Sequence, residues 1–99
     1  GIDQNRNYPF GWENACSGSS NPSSETYKGP SPASEAETQT LLAWSRAERF
    51  GKIIDYHSSG REVLHGYDCW AHPFDAYWIT EATALSQAAA LGAYSRPFR

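Results

Sequence analysis

The chain has 99 residues, room for one modest domain, with 39% hydrophobic and 14% aromatic content. Its formal charge of -3, with the eight Lys and Arg scattered, argues against a nucleic-acid surface. No apolar run approaches a membrane span and no basic-plus-apolar leader is visible, so neither nucleic acid nor membrane is expected as a partner.

Residues 1–33 read as loop. Gly1, Pro9, Gly11, Gly18, Pro22, Gly29, Pro30 and Pro32 interrupt any periodicity, and five serines between 17 and 24 add turn-forming hydroxyls. A loop this long in a compact domain usually binds something or links something. Tyr8, Phe10, Trp12 and Tyr27 argue for a segment packed on a larger body. Within it, Asp3-Gln4-Asn5-Arg6-Asn7 sets a planar guanidinium between two short amides, a pattern that suits a carboxylate or phosphate. A surface turn capping its own backbone is the competing reading.

A helix is expected over 35–49. Ser34 followed by Glu37 forms a capping-box pattern, and Leu41, Leu42, Trp44 and Ser45 supply a stripe at helical spacing. Lys52–His57 reads as a strand rich in β-branched residues, broken by Ser58-Ser59-Gly60. Arg61–His65 reads as a second short strand. The last helix starts near Asp75, which can cap it, and buries Trp78, Ala82, Leu85 and Ala89, with Ile79 and Ala88 beside them; Gly92 ends it. The order is long loop, helix, strand, short strand, helix, which suits an α/β class, part of a three-layer sheet protein. Two strands cannot bury both faces of a sheet, so the chain reads as a fragment; the alternative is a small α+β unit stapled by Cys16 and Cys69.

His57 is the most informative single residue, at an expected strand end where active sites of open α/β sheets collect. Asp55, two residues earlier, is placed to orient it. A lone histidine holds no catalytic zinc, which requires three protein ligands. His65, Cys69 and His72, beside Asp68, form a second cluster with metal-compatible spacing; an ordered loop with a bonded cysteine is the plainer account. Ser58 or Ser59 as a triad nucleophile is disfavoured, because no nucleophile elbow is present.

Several stretches then fit together. Gly1-Ile2-Asp3-Gln4-Asn5-Arg6-Asn7, the segment Gly18-Ser19-Ser20-Asn21-Pro22-Ser23-Ser24-Glu25-Thr26-Tyr27-Lys28-Gly29-Pro30, Ser34-Glu35-Ala36-Glu37, and His57-Ser58 after an apolar stretch resemble the central part of a zinc metallocarboxypeptidase of the pancreatic type. The resemblance is specific over residues 1 to about 67 and weak through the last helix. It implies an internal piece, 1–99, of an α/β/α mixed-sheet catalytic domain: 1–33 as active-site loop region, 34–99 as helix-strand-strand-helix. It implies that Asn5 and Arg6 bind the free C-terminal carboxylate of a peptide or protein substrate, that His57 is one of three Zn2+ ligands, and that the Ser58 carbonyl contacts substrate. It also implies a secreted or extracellular setting.

This sequence departs from the family at Ser23, where some secreted members carry a cysteine, and at Ser59, where pancreatic enzymes carry a tyrosine. The resemblance implies that the remaining zinc ligands and a second arginine lie upstream of these residues, and the catalytic glutamate and a closing tyrosine downstream. The parent is therefore expected to be a metallocarboxypeptidase that hydrolyses the C-terminal peptide bond, and the isolated chain to be inactive. Two alternatives remain: a non-catalytic module binding C-terminal carboxylates, and a small structural domain linked through Cys16 and Cys69.

Overall fold

The computed structural model describes residues 1–58, 62–66, 72–89 and 95–97. The chain divides into two compact units, Gly1–Ile54 and Asp55–Arg99.

In the first unit, residues 1–35 hold two short 3-10 turns, Gln4–Arg6 and Ala15–Ser17, and are otherwise irregular. A chain without a ladder must satisfy its backbone some other way. It does so with long-range hydrogen bonds. The Asp3 amide donates to Tyr27 O at 2.8 Å, Ser19 to Thr26 O at 2.9 Å and Lys28 to Ser19 O at 3.0 Å. These bonds fold the loop back on itself, so the serine-rich segment lies beside the first turn.

Helix α1 runs Ala36–Glu48, where Ala, Leu, Gln, Glu and Arg dominate the sequence. The expected capping box does not form. Glu35 is the N-cap and makes no side-chain cap bond. Its backbone amide instead donates to Asn7 Oδ1 at 3.2 Å, while Ser34 Oγ donates to Glu35 Oε1 at 2.9 Å. A side chain 28 residues away takes the N-cap amide that the third-position Glu or Gln of a capping box takes elsewhere. The helix ends at Arg49, in the left-handed region with φ 53°, whose amide returns to Ser45 O at 3.0 Å. Its inward stripe is Thr38, Leu42 and Ser45; Leu41 and Trp44 lie off it and are exposed. Trp44 and Phe50 meet edge to face, with centroids 4.9 Å apart.

The second unit pairs β1, Val63–His65, in parallel with β2, Ser95–Pro97, in the register Val63 to Ser95 and His65 to Pro97. Helix α2, Asp75–Ala88, packs against both strands. Asp75 does not cap its own helix. Phe74 takes the N-cap position, and the Asp75 carboxylate accepts the His72 amide at 2.9 Å. Trp78, Ala82 and Ser86 form the inward row, so the buried face is rotated from the expected one and leaves Leu85 and Ile79 exposed.

The three-layer mixed-sheet expectation is not met. Among the described residues the structure is mostly helical, and the strands are two three-residue segments. Lys52–His57 has no regular secondary structure and joins no ladder among the described residues, and Ile53, Ile54 and Tyr56 are exposed. β-branched residues favour a strand only where cross-strand neighbours accept them, and among the described residues none do. Of the expected second strand, Val63–His65 forms and Arg61 lies outside the described residues, as do Ser59, Gly60, Asp68, Cys69 and Gly92.

Gly29, at φ 90°, sits against the joint between Asn7 and Ser34. A methyl there would stand 2.7 Å from Asn7 Nδ2 and 2.8 Å from Ser34 Oγ. Gly29→Ala is expected to destabilise the first unit by about 2 kcal/mol, combining left-handed strain and a clash with ordered polar atoms. Gly51, with open space at its Cβ, should tolerate alanine. Urea titration of both variants checks this; equal midpoints would contradict it.

Candidate functional site

Asn5 and Arg6 lie together on the first 3-10 turn, and Asp3 builds that turn. Its Oδ1 accepts the Asn5 amide at 3.0 Å, while its Oδ2 lies 3.9 Å from Arg6 Nε. The Arg6 amide closes the turn onto Asp3 O at 2.9 Å. Gly18 permits the Arg6 stem to pass close by: a Cβ on Gly18 would meet Arg6 Cβ and Cδ at 3.2 Å.

Arg6 is 31% exposed, and among the described residues Asp3 is its one charged partner, engaged through Nε. Among the described residues no group pairs with the fork end of the guanidinium, and the exposed Asn5 side chain emerges from the same turn. A carboxylate meeting this turn can take two parallel N–H donors from Arg6 with an amide donor nearby. Asp3 opposes the same anion, so the turn is tuned rather than simply positive.

His57 and Ser58 belong to the other unit. His57 Nε2 lies 3.0 Å from Asp55 Oδ2, with side chains 54% and 74% exposed. The expected Asp–His pair therefore forms, and it leaves Nδ1 as the other ring nitrogen available to a partner. Ser58 is exposed. Among the described residues, no group of three His, Cys, Asp or Glu gathers as a metal site. The residues present thus do not amount to a zinc site: one imidazole and one carboxylate already hydrogen-bonded to it. His65 Nδ1 faces Gly66 O at 3.2 Å and His72 Nδ1 accepts the Phe74 amide at 3.2 Å, so both expected cluster histidines serve their local backbone.

Cys16 is disulfide-bonded; Cys69, the other cysteine of the sequence, lies outside the described residues. An open cleft of about 650 Å³ lies between Gly1–Gln4 and Pro22–Glu25, and Asn5, Arg6, His57 and Ser58 do not line it.

The sequence reading sets the Asn7 amide beside Arg6 as a second donor to an anion, but its Nδ2 is bonded within the chain, to Lys28 O, Ser31 O and Ser34 Oγ; the role of Lys28 escaped that reading. Asn7 is fully buried at 0% exposure, and Lys28 is buried at 6%. Lys28 Nζ donates to Trp12 O at 2.8 Å and stands 4.6 Å from the Trp12 ring centroid, while Trp12 Nε1 donates to Lys28 O at 3.0 Å. No spacing rule flags such a clasp, because its two members are 16 residues apart.

The description "zinc carboxypeptidase" fits residues 1–96, through a match to that family's model. The chain belongs to the zinc carboxypeptidase family. Metallocarboxypeptidase A of Trichophyton rubrum is 38% identical over 79 residues, covering 74% of this chain and 18% of that protein. Metallocarboxypeptidase A of Trichophyton tonsurans is 33% identical over 105 aligned positions, covering all of this chain and 25% of that protein. Human carboxypeptidase A5 is 40% identical over 68 residues, covering 68% of this chain and 15% of that protein. The chain thus spans a quarter or less of the length of these relatives. No solved structure matches it.

Asp3 acts on the turn as a cap and as a charge, and two variants separate these roles. Asp3→Ala should cost about 1 kcal/mol, the usual worth of such a cap, whereas Asp3→Asn, which still caps, should cost only a few tenths. Denaturant midpoints for both give the test; equal losses would show that the charge, not the cap, holds the turn.

Proposed function

We propose that this chain is part of the catalytic domain of a zinc-dependent carboxypeptidase, with residues 1–33 contributing an active-site loop that grips the C-terminal carboxylate of a peptide substrate. The observation that carries the reading is the Asn5–Arg6 turn, where an amide and an unfilled guanidinium fork emerge side by side within a chain of this family. Arg6 would form the bidentate pair with the carboxylate and Asn5 would add a donor, which fixes the chain end without taking part in bond breaking. Ser58 would offer its carbonyl to substrate.

His57 would supply one zinc ligand, oriented by Asp55. In this family zinc serves peptide-bond hydrolysis, and one ligand is too few to hold it for catalysis. No chemical step is assigned to the residues of this chain, whose share of the work is substrate binding. Bonded Cys16 supports an extracellular setting, where disulfides persist. We assign its partner as Cys69; intact mass and tryptic mapping with and without reduction should find the Cys16–Cys69 peptide pair, and a disulfide between two copies of the chain would contradict it.

N-acetyl-glycyl-phenylalanine and its C-terminal amide test the carboxylate reading directly. The carboxylate form should bind the chain at least about tenfold more tightly than the amide, the scale of one charge-assisted bidentate pair. Arg6→Gln should abolish that preference, and neither peptide probe should be cleaved during calorimetric titration. Equal affinity of the wild-type chain for both probes would sink the assignment.

A further inference from the structure

Asn5, Arg6 and Asn7 are consecutive but face opposite ways in solvation: Asn5 is exposed, Arg6 is partly exposed and Asn7 has no exposed surface. Every polar group of Asn7 is engaged. Its amide donates to Gln4 O at 3.0 Å and closes the turn that carries Asn5 and Arg6. Its carbonyl accepts the Ala33 amide at 2.7 Å. Its Nδ2 shares two hydrogens among Lys28 O at 3.0 Å, Ser31 O at 3.2 Å and Ser34 Oγ at 2.9 Å, and its Oδ1 accepts the Glu35 amide at 3.2 Å.

These bonds join the turn to a rigid backing. Lys28 O also takes Trp12 Nε1, and the Lys28 ammonium is returned to Trp12 O, so the strand of chain behind Asn7 is clasped on its far side. Ser34 and Glu35 lead straight into α1. A buried amide whose donors and acceptor are all satisfied fixes one backbone geometry, because any rotation would orphan a group away from water. The residue so fixed is the immediate neighbour of Arg6. A bidentate carboxylate pair tolerates only small displacements of the guanidinium, on the order of 0.5 Å.

We infer that Asn7 is the positioning residue of the Asn5–Arg6 carboxylate grip, transmitting the rigidity of the Lys28–Glu35 segment to the guanidinium. The inference rests on the carboxylate reading of Asn5 and Arg6 given above. Asn7 touches no substrate; it acts by holding the turn.

The test uses the 99-residue chain, the carboxylate and amide probes already named, and the Arg6 Nε–H resonance. In the wild type, the carboxylate probe should shift that resonance and the amide probe should not. Asn7→Ala should lower carboxylate affinity at least about tenfold and erase the Arg6 shift, in a protein whose helical circular dichroism is retained. Ser34→Ala removes one acceptor of the Asn7 amide and leaves the turn itself untouched, so it serves where Asn7→Ala fails to fold. It should weaken carboxylate binding roughly two- to threefold, as expected for the loss of one modest hydrogen bond behind the site.

Folded variants that keep wild-type carboxylate affinity and the wild-type Arg6 shift would overturn the inference, leaving Asn7 a purely structural residue. That outcome differs from failure of the underlying reading, in which the wild-type chain itself would not distinguish the two probes; that result would overturn both.

Discussion

The side-chain amide of Asn7 is withdrawn from water although the described residues have almost no apolar interior: Ala82, in the other unit, is the one buried hydrophobic residue among them. The first unit therefore cannot rely on hydrophobic burial to choose its loop conformation. It relies on polar groups that have a single satisfied arrangement. Asn7 ties Gln4–Arg6 to Lys28, Ser31 and Ser34 and caps α1 through Glu35. The absence of a side chain at Gly29 leaves room for that joint. Lys28 and Trp12 close the opposite side by exchanging hydrogen bonds and stacking charge on ring. A buried network of this kind specifies one geometry sharply when complete and costs heavily when one member is lost.

This arrangement shows how an irregular segment holds one turn in place. Asp3 caps the turn and restrains the Arg6 stem while leaving the fork end accessible. Asn5 is thus exposed and Arg6 partly exposed, while Asn7 and Lys28 behind them are buried. The family relationship places the turn in a chain of the zinc carboxypeptidase family, which spans a quarter or less of the relatives named above, and among the described residues no group of three ligating side chains gathers. His57 and Asp55 pair as a ligand and its orienting carboxylate would, but they form no metal centre by themselves.

Much of the local structure was legible in the sequence. Runs of good helix formers mark Ala36–Glu48 and Asp75–Ala88 to within a few residues. The Asp3–Arg6 turn and the Asp55–His57 pair follow from short-range chemistry. The misreadings share one physical cause, dependence on partners distant in sequence. Ser34 looks like an N-cap, but the cap arrives from Asn7, and the serine hydroxyl is used between Asn7 and Glu35. Ile53 and Ile54 look like a strand, but a strand is a pairing rather than a composition, and none of the described residues pairs with them. The inward rows of both helices are rotated from the most apolar stripe, so Thr38 and Ser86 are buried while Leu41 and Leu85 are exposed. Lys28 reads as a surface charge until Trp12 supplies both an acceptor and a π-face.

Hydrogen exchange at two amides tests the central role of Asn7 most directly. The Ala33 amide donates to the Asn7 backbone and the Glu35 amide to its side chain, and neither bond belongs to the interior of a helix or strand. If Asn7 holds the first unit together, both amides exchange slowly and at one shared rate, that of opening the whole Gly1–Ile54 unit. A Glu35 amide exchanging at the rate of an unprotected chain, while the interior of α1 stays protected, would contradict the account.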